Sequence, residues 1–229
     1  SWTTFCDIDH SVCYAFNYIA QLLYVLWGLM GLLCYDIMIM LLLAAGYREF
    51  EQIKSGFLEL SIDETVGEEN IKALEQIRAL VKQHNLVLDF IDGIGSFLSK
   101  ILMFQFIAIV FTNCSSLFLL SVVGFPPPAS TTCRIIPYLA CLFGQNFVYC
   151  IAGQLISDQS VSVADAAYGS KWWAKTQPSL RRAICLVIQR SQRRSQISAG
   201  GLINLDLNTF MAVTKTTSSV LAFANAVFQ

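Results

Sequence analysis

The sequence predicts an all-α membrane protein with four transmembrane helices and long helical extensions in water. Only 14% of the 229 residues are charged and 55% are apolar, whereas about 25% of an average soluble domain is charged. Three runs contain no charged residue at all: Tyr14 to Tyr35, Ile101 to Gly124 and Ile135 to Ser157. Each run is close to the roughly 20 residues that a helix needs to cross a bilayer.

The first two predicted spans are joined by a charged connector. The first span covers residues 14–47, which is longer than a bilayer requires, so its end is expected to project into water. Residues 48–100 carry six bases and ten acids and are predicted to form helical extensions outside the bilayer. The second span, residues 101–124, ends before three prolines, which cannot continue a helix. Apolar residues of the connector recur at helical spacing: Ile71, Leu74, Ile77, Leu80 and Val81.

The third predicted span, residues 135–157, is followed by a basic region. Residues 158–200 contain seven bases. Pro178 suits the first turn of a helix, which is predicted for residues 178–196. Two interpretations of this helix are open: it lies on the membrane surface, held by anionic lipid, or it packs against partner subunits. Its predicted apolar face consists of Leu180, Ile184, Val187 and Ile188.

The distribution of bases predicts the orientation in the membrane. Lys and Arg are concentrated on the cytoplasmic side of membrane proteins. The two long connectors hold thirteen of the fifteen bases, and the opposite side holds only Arg134. Both connectors are therefore predicted to be cytosolic, and both ends of the chain to be extracellular. The last span, residues 203–229, then runs outward.

Several classes of function lack support in the sequence. A net charge of −1 argues against nucleic-acid binding. The eight cysteines include no pair with metal-binding spacing, and no catalytic motif is present, so we predict neither an enzyme nor a bound cofactor. Cys6, Cys13 and Cys133 are predicted outside the membrane, where a disulfide can form. The acidic start of the chain differs from a signal peptide and is expected to be internal to a longer protein.

A series of short motifs in the last third of the chain points to a known family. The motifs are a glycine before a polar turn, an Ala-Ala-Tyr…Trp segment, an arginine pair, an Arg-x-Gln sequence, an Ala-Gly-Gly sequence and a Leu-x-Leu-x-Thr-Phe helix start. They correspond to Gly153, Ala166–Tyr168, Trp172 or Trp173, Arg181–Arg182, Arg190–Gln192, Ala199–Gly201 and Leu205–Phe210. As a set, they closely resemble the carboxyl-terminal region of insect odorant receptors.

The resemblance implies a fold, a function and partners. This chain would be spans four to seven of a seven-span receptor whose carboxyl end is extracellular, in agreement with the charge distribution. The resemblance implies an odorant-gated, non-selective cation channel in the plasma membrane, assembled as a tetramer, usually with a co-receptor subunit. Residues 158–200 would belong to a cytosolic anchor region shared by the subunits, and the last helix would line the pore.

The polar last helix is compatible with a pore. Polar side chains are costly against lipid and tolerated beside water, although small polar residues also permit close helix packing. This helix contains Thr209, Lys215, Thr216, Thr217, Ser218, Ser219 and Asn225. A gate requires a narrow apolar ring, and Phe223 is the favoured candidate. The complete set of gate candidates is Val220, Phe223, Ala224 and Val227.

The small volatile odorant is expected to bind in the outer half of the helix bundle, in a mostly apolar pocket. Aromatic residues at span ends also serve as interface anchors, which is the alternative for Tyr14 and Tyr138. Gln145 and Asn146 are the most informative positions, because an amide within a span needs a partner. The predicted ligand residues of the first span are Tyr14, Tyr18, Gln21, Leu22 and Val25. Those of the third span are Tyr138, Cys141, Leu142, Gln145, Asn146 and Tyr149.

Three alternative functions were compared with this prediction. An insect gustatory receptor channel usually has a Thr-Tyr…Gln-Phe pattern in its last helix, and this chain matches that pattern poorly. A fragment of a G-protein-coupled receptor would have a cytosolic carboxyl end, which the charge distribution opposes. A transporter predicts internal repeats and broken spans, and the sequence has no convincing repeat.

Overall fold

The computed structural model describes residues 11–60, 68–122, 129–170, 172 and 178–228. Within these ranges the chain forms five helices and one small hairpin, so the prediction of an all-α fold is confirmed. In the hairpin, β1 (Ser198–Ala199) pairs antiparallel with β2 (Ile203–Asn204). The helices are α1 (Ser11–Leu58), α2 (Glu68–Val122), α3 (Ala129–Gly169), α4 (Pro178–Ser191) and α5 (Leu207–Phe228).

Three of these helices are both long enough and apolar enough to cross a membrane. They are α1, α2 and α3, with 48, 55 and 41 residues, each more than the roughly 20 residues that a bilayer requires by a factor of about two or more. Among the described residues, α5 is not one of these candidates, because Lys215 and a series of hydroxyl side chains lower its hydropathy. The fourth crossing therefore stays a prediction.

The chain divides into two compact units, one up to Leu42 and one from Leu43 onward. The first unit is almost entirely apolar surface. Between residues 12 and 34, every side chain except those of Cys13 and Asn17 is exposed. Cys13 is disulfide-bonded, whereas Cys133 of the second unit is a free thiol. Cys6 lies outside the described residues.

The core of the second unit forms where α2 packs along α5, and α4 packs on α3. On α2, buried residues recur every three to four positions, as expected for one helical face. Leu98, Leu102 and Ile109 belong to this face, and Asn113 continues it with no exposed surface. The extension of α2 below the predicted span is packed as well, since Ile77 and Ile91 are each 1% exposed.

Helix α4 buries its apolar face inside its own chain. Leu180 and Ile184 are fully buried and Val187 is 5% exposed, and α4 packs on α3. The membrane-surface interpretation of this helix is therefore wrong, because it requires the apolar face to lie against lipid. Packing against partner subunits stays a prediction.

Helix α4 also ends earlier than predicted, at Ser191 rather than at residue 196. The backbone N–H of Ser195 donates to Oγ of Ser160 at 3.0 Å instead of to a helical carbonyl. Ser195 and Ile197 are buried, so the chain leaves the helix to pack in extended form against the core. This segment continues into β1.

The hairpin between β1 and β2 explains the Ala-Gly-Gly motif. Gly200 and Gly201 have φ angles of 64° and 69°, a left-handed conformation that is easy only for glycine. The N–H of Gly200 donates to the carbonyl oxygen of Ser99 at 2.9 Å, and Ala199 is fully buried. The hairpin therefore fixes the start of α5 to the side of α2.

Candidate functional site

Helix α5 turns most of its polar side chains away from the rest of its unit. Val213 and Thr217 are 6% and 1% exposed and pack inward. The exposed side chains between residues 215 and 219 form what we term the polar face of α5. Its members are Lys215, Thr216, Ser218 and Ser219.

The hydroxyl groups of α5 are satisfied within the helix. Each of five hydroxyls donates to the backbone carbonyl oxygen four residues earlier, at 2.7 to 3.0 Å. Such bonds are a common way for Ser and Thr to satisfy their donors inside a helix. The hydroxyl oxygens keep lone pairs that can still accept from water or face a cation. The donors are Thr214, Thr216, Thr217, Ser218 and Ser219.

The start of α5 is fixed by a capping residue. The carboxylate of Asp206 accepts from the backbone N–H of Thr209 at 2.7 Å, as an N-cap residue does. The hydroxyl of Thr209 donates to the carbonyl oxygen of Asn204 in β2, also at 2.7 Å. These bonds connect the first turn of α5 to the hairpin.

The Gly153 motif has a steric explanation. A Cβ atom on Gly153 would overlap the backbone carbonyl oxygen of Leu205, and it would come within 2.8 Å of the Cβ of Leu205. Only glycine lets α3 approach the segment before α5 so closely. Six residues earlier on α3, the ring of Phe147 packs edge-on against that of Phe210, with centroids 5.3 Å apart.

The structure describes two of the four gate candidates. Phe223 is 71% exposed, so its ring projects away from its own unit. Val220, one turn earlier, is half-buried, and the side chains of Ala224 and Val227 lie outside the described part. Ala222 and Ala226, which are not among the gate candidates, are exposed and continue the face of Lys215 and Ser219 at spacings of three and four.

Two of the predicted ligand residues line a small cavity. Asn146 and Tyr149 are buried and meet Gln105, Leu205 and Thr209 around a volume of about 20 Å³. This volume holds about one water molecule, which is far too little for an odorant. The cavity adjoins the hairpin that precedes α5, since Ala199 and Ile203 also line it. The contact of Asn146 and Tyr149 with an odorant in the outer half of the bundle stays a prediction.

The other predicted ligand residues belong to two different units. On α3, Tyr138 and Cys141 are exposed, whereas Leu142 and Gln145 are half-buried. In the first unit, the rings of Tyr14 and Tyr18 stack with centroids 6.5 Å apart. Their shared role in one pocket stays a prediction. All five candidates of the first unit are exposed: Tyr14, Tyr18, Gln21, Leu22 and Val25.

Two buried amides of the second unit have polar atoms without a partner. Asn146 accepts a weak bond from the thiol of Cys150 at 3.9 Å, but its Nδ2 has no partner among the described residues. Neither polar atom of the Asn113 side chain has one, and this residue is fully buried. The sequence analysis gave Asn113 no role in the site, although an amide inside a charge-free run is itself a signal.

Known proteins resemble this chain in sequence. The family model described as 7tm Odorant receptor matches residues 2–218. Odorant receptor 22c of Drosophila melanogaster is 26% identical over 138 residues, which cover 60% of this chain and 33% of that relative. Odorant receptor 45a of the same species is 29% identical over 147 residues, covering 64% of this chain and 38% of that relative. The chain thus spans little more than a third of the length of these relatives.

The fold also matches a solved structure. The insect olfactory receptor OR5 from Machilis hrabei, in complex with eugenol, superposes with a TM-score of 0.82 at 16% identity, over 99% of this chain and 56% of that one. A second structure of the same receptor superposes with a TM-score of 0.79 at 16% identity, over 95% of this chain and 54% of that one. Because the family model covers nearly the whole sequence, the chain belongs to the 7tm odorant receptor family.

Proposed function

We propose that this chain is part of an odorant-gated, non-selective cation channel subunit whose pore is lined by α5. The observation that carries the proposal is the polar face of α5, which points away from its own unit. The hydroxyls of this face are compatible with water or with packing, and the lysine among them favours a hydrated neighbour. Family membership supports the same function.

The charge of Lys215 gives the strongest argument for water beside α5. A lysine at the centre of a membrane helix costs about 2.5–3.5 kcal/mol for insertion. Such residues normally face a bundle interior or a water-filled cavity. Lys215 has no ion-pair partner among the described residues. A pore at the axis of several subunits provides both the water and the missing neighbours.

The proposed gate lies beyond the polar face, toward the carboxyl end. Phe223 is a large apolar side chain exposed to 71%, two turns after Lys215. A ring of such side chains around an axis would form a constriction that excludes water. Val220 is its neighbour one turn earlier, and Ala224 and Val227 complete the proposed constriction.

The proposed ligand is a small volatile odorant that binds in the outer half of the transmembrane bundle. A similar solved receptor is described in complex with eugenol, which supports a small organic ligand for this chain. The residues proposed to contact the odorant are, on α1, Tyr14, Tyr18, Gln21, Leu22 and Val25 and, on α3, Tyr138, Cys141, Leu142, Gln145, Asn146 and Tyr149. The complete pocket would also need the part of the receptor that this chain does not span.

The proposed assembly is a plasma-membrane tetramer with a co-receptor subunit and an extracellular carboxyl end. The distribution of bases supports this orientation. The disulfide of Cys13 supports an extracellular position for the start of α1, because disulfides persist mainly in oxidising compartments.

Cysteine accessibility in α5 tests the proposal. Ser219→Cys and Thr217→Cys are made in the full-length receptor, which is expressed with its co-receptor, and odorant-evoked current is recorded while G-protein signalling is blocked. A charged thiol reagent is then added. We expect it to reduce the current of Ser219→Cys, whose position is exposed, and to leave Thr217→Cys unchanged, because that position is 1% exposed.

Two results would contradict the proposal. If the Ser219→Cys current resists the reagent at every concentration that modifies exposed thiols, α5 does not line the conduction path. If current disappears whenever G-protein signalling is blocked, the chain belongs to a receptor that acts through G proteins. The unsubstituted receptor serves as the control for the chain's own free cysteines.

A further inference from the structure

A short segment of α2 combines two glycines with a serine. Residues 93–96, which we term the glycine segment, contain Gly93, Gly95 and Ser96. They lie just before Ile101, the predicted start of the second span. Glycine favours a helix less than any residue except proline, because its backbone has the most freedom to lose. Helix α2 is nevertheless continuous through this segment, so the glycine segment is a weak part of an unbroken helix.

Packing among the described residues does not require a glycine at either position. A Cβ atom on Gly93 or on Gly95 would meet nothing within 4 Å in this part of the chain. At Gly46 of α1, by contrast, a Cβ would lie 2.6 Å from the Cδ1 atom of Ile91, so the close approach of two helices explains that glycine. Alanine would fit at positions 93 and 95 and would strengthen α2. What the two glycines contribute is therefore the ability of the backbone to bend.

On the amino-terminal side of the glycine segment, α2 is fixed to α1. The side-chain Nε2 of Gln83 donates to Oε2 of Glu49 at 3.0 Å. The buried ring of His84 lies edge-on against that of Phe50, with centroids 6.3 Å apart. Ile91 is 1% exposed and reaches α1 one helical turn from these contacts. This half of α2 is therefore packed together with the carboxyl-terminal part of α1.

On the carboxyl-terminal side of the glycine segment, α2 holds the hairpin and the start of α5. The backbone N–H of Gly200 donates to the carbonyl oxygen of Ser99 at 2.9 Å. A Cβ on Gly200 would lie only 3.1 Å from the Cγ atom of Met103, so the hairpin rests directly on this half of α2. Farther along, Ile109 lines the small cavity together with Thr209 of α5. A movement of this half of α2 would therefore carry the hairpin and α5 with it.

The serine of the glycine segment provides a hydrogen bond that a bend does not break. The hydroxyl of Ser96 donates to the carbonyl oxygen of Gly93 at 2.9 Å. In a helix this carbonyl also accepts from the backbone N–H of Phe97, four residues later. When a bend lengthens that bond, the hydroxyl remains as a donor, so the carbonyl is not left unsatisfied. Glycine and serine together are a recognised cause of helix kinks.

We propose that the glycine segment is a hinge that bends when the channel opens. The carboxyl-terminal half of α2 would move with the hairpin and α5, while the amino-terminal half stays with α1. Hinges commonly use a few small residues that absorb the change in backbone angles. Phe223 projects away from its own unit toward the proposed constriction, so the unbent helix corresponds to the closed gate. The link to gating rests on the proposed function, but the bend itself is measurable without recording current.

Hydrogen–deuterium exchange of the purified full-length receptor, assembled with its co-receptor, tests the bend. The probe is the compound of a volatile panel, eugenol included, that evokes the largest cellular response. We expect a saturating concentration of it to speed exchange of the N–H groups of residues 97–99, whose helical acceptors are residues 93–95. Exchange of residues 83–91, which lie on the fixed side of the hinge, should stay unchanged. In the Gly93→Ala and Gly95→Ala double variant, the increase at residues 97–99 should be lost.

Current recording with the same compound tests the link to gating. Gly93→Ala and Gly95→Ala should each raise the concentration for half-maximal current about fivefold, the equilibrium factor that corresponds to the helix preference of alanine over glycine. Ser96→Ala should raise it as well, because the Gly93 carbonyl then loses its remaining donor in the bent helix. None of the three variants should lower the melting temperature, so a failure to fold does not account for the shift.

Gly31→Ala is the matched control. Gly31 is also a helical glycine at which a Cβ would meet nothing within 4 Å among the described residues, but it lies on α1, away from the glycine segment in sequence. Its substitution strengthens a helix in the same way and should leave the half-maximal concentration unchanged.

Three outcomes would overturn the proposal. The first is unchanged exchange of residues 97–99 in a receptor that the compound activates. The second is a shift by Gly31→Ala as large as that by Gly93→Ala, which would indicate a general effect of helix stability. The third is loss of tetramers in the double variant, which would assign the glycines to a contact between subunits. Faster exchange of residues 97–99, together with a response that disappears under G-protein block, would reject the channel and retain the hinge.

Discussion

At the scale of single residues, Lys215 connects the sequence most directly with conduction. Its side chain is exposed on the polar face of α5, and in the proposed channel a positive charge there would repel the permeating cation. Two unit charges 4 Å apart in water interact by about 1 kcal/mol, which corresponds to roughly a fivefold change in local cation concentration. We therefore expect Lys215→Gln to raise the single-channel cation conductance by up to about that factor.

Lys215→Arg provides the control for this experiment, because it keeps the charge at the same position. Patch-clamp recording of the assembled channel should give it a conductance close to that of the unsubstituted receptor. An unchanged conductance in Lys215→Gln, over a range of ionic strengths, would place Lys215 outside the conduction path.

The buried amide of Asn113 leads to a prediction about stability. Burying a polar group without a partner costs about 1–3 kcal/mol, and Asn113 is fully buried with both polar atoms unpartnered. Leucine is of comparable size and apolar, so Asn113→Leu should raise the melting temperature of the receptor in detergent. Asn85→Leu, at an exposed position of the same helix, should have little effect. A lower melting temperature for Asn113→Leu would mean that the amide has a partner, such as a bound water.

At the scale of elements, Gly153 tests whether α3 and the start of α5 approach as closely as described. A Cβ at this position would overlap the backbone of Leu205, and backbone cannot move aside as a flexible side chain can. Overpacking of this kind typically costs about 1–3 kcal/mol or more. We expect Gly153→Ala to lower the melting temperature and the yield of folded receptor.

Gly144 lies on the same helix, and a Cβ there would meet nothing within 4 Å. Gly144→Ala should therefore be neutral or slightly stabilising, because alanine favours a helix by about 1 kcal/mol relative to glycine. Equal stability of the two variants, measured side by side in detergent, would show that α3 does not contact Leu205 as closely as the structure has it.

The elements differ in how well the sequence predicted them. The charge-free runs located α1, α2 and α3, because a long apolar segment leaves few alternatives to a helix in a membrane. The hairpin was missed, although Gly200 and Gly201 are a turn signal, because strands of two residues have no periodicity. The end of α4 was misplaced because its termination depends on the distant hydroxyl of Ser160, which no local pattern reveals.

The candidate site was predicted only in part, also for physical reasons. Helical periodicity identified Tyr149, and Asn146 was selected as an amide within a span, but neither signal contains information on which elements meet these residues. In the fold they meet the hairpin and Gln105 around a cavity of about 20 Å³. The polar residues of α5 were identified because lysine and hydroxyls are rare in a span, and rarity is visible in sequence alone.

At the scale of the whole molecule, the orientation is open to a direct test. The positive-inside distribution predicts an extracellular carboxyl end and a cytosolic connector between α1 and α2. An epitope tag after Gln229 should bind antibody on intact cells, and a tag inserted in residues 61–67 should bind only after permeabilisation. The opposite labelling pattern, in channels that still respond to odorant, would reverse the orientation of every helix.

The hydrogen bonds that the α5 hydroxyls make to their own backbone also affect how α5 can be inserted into the membrane before the proposed assembly. These donors are already occupied inside the helix, so the hydroxyls of α5 can lie against hydrocarbon after insertion. They can later border water without breaking any of these hydrogen bonds. If the proposed assembly is right, a newly inserted subunit can therefore remain in the bilayer before it meets the other subunits. Lys215 is the exception, because its amine would reach water only in the assembled channel.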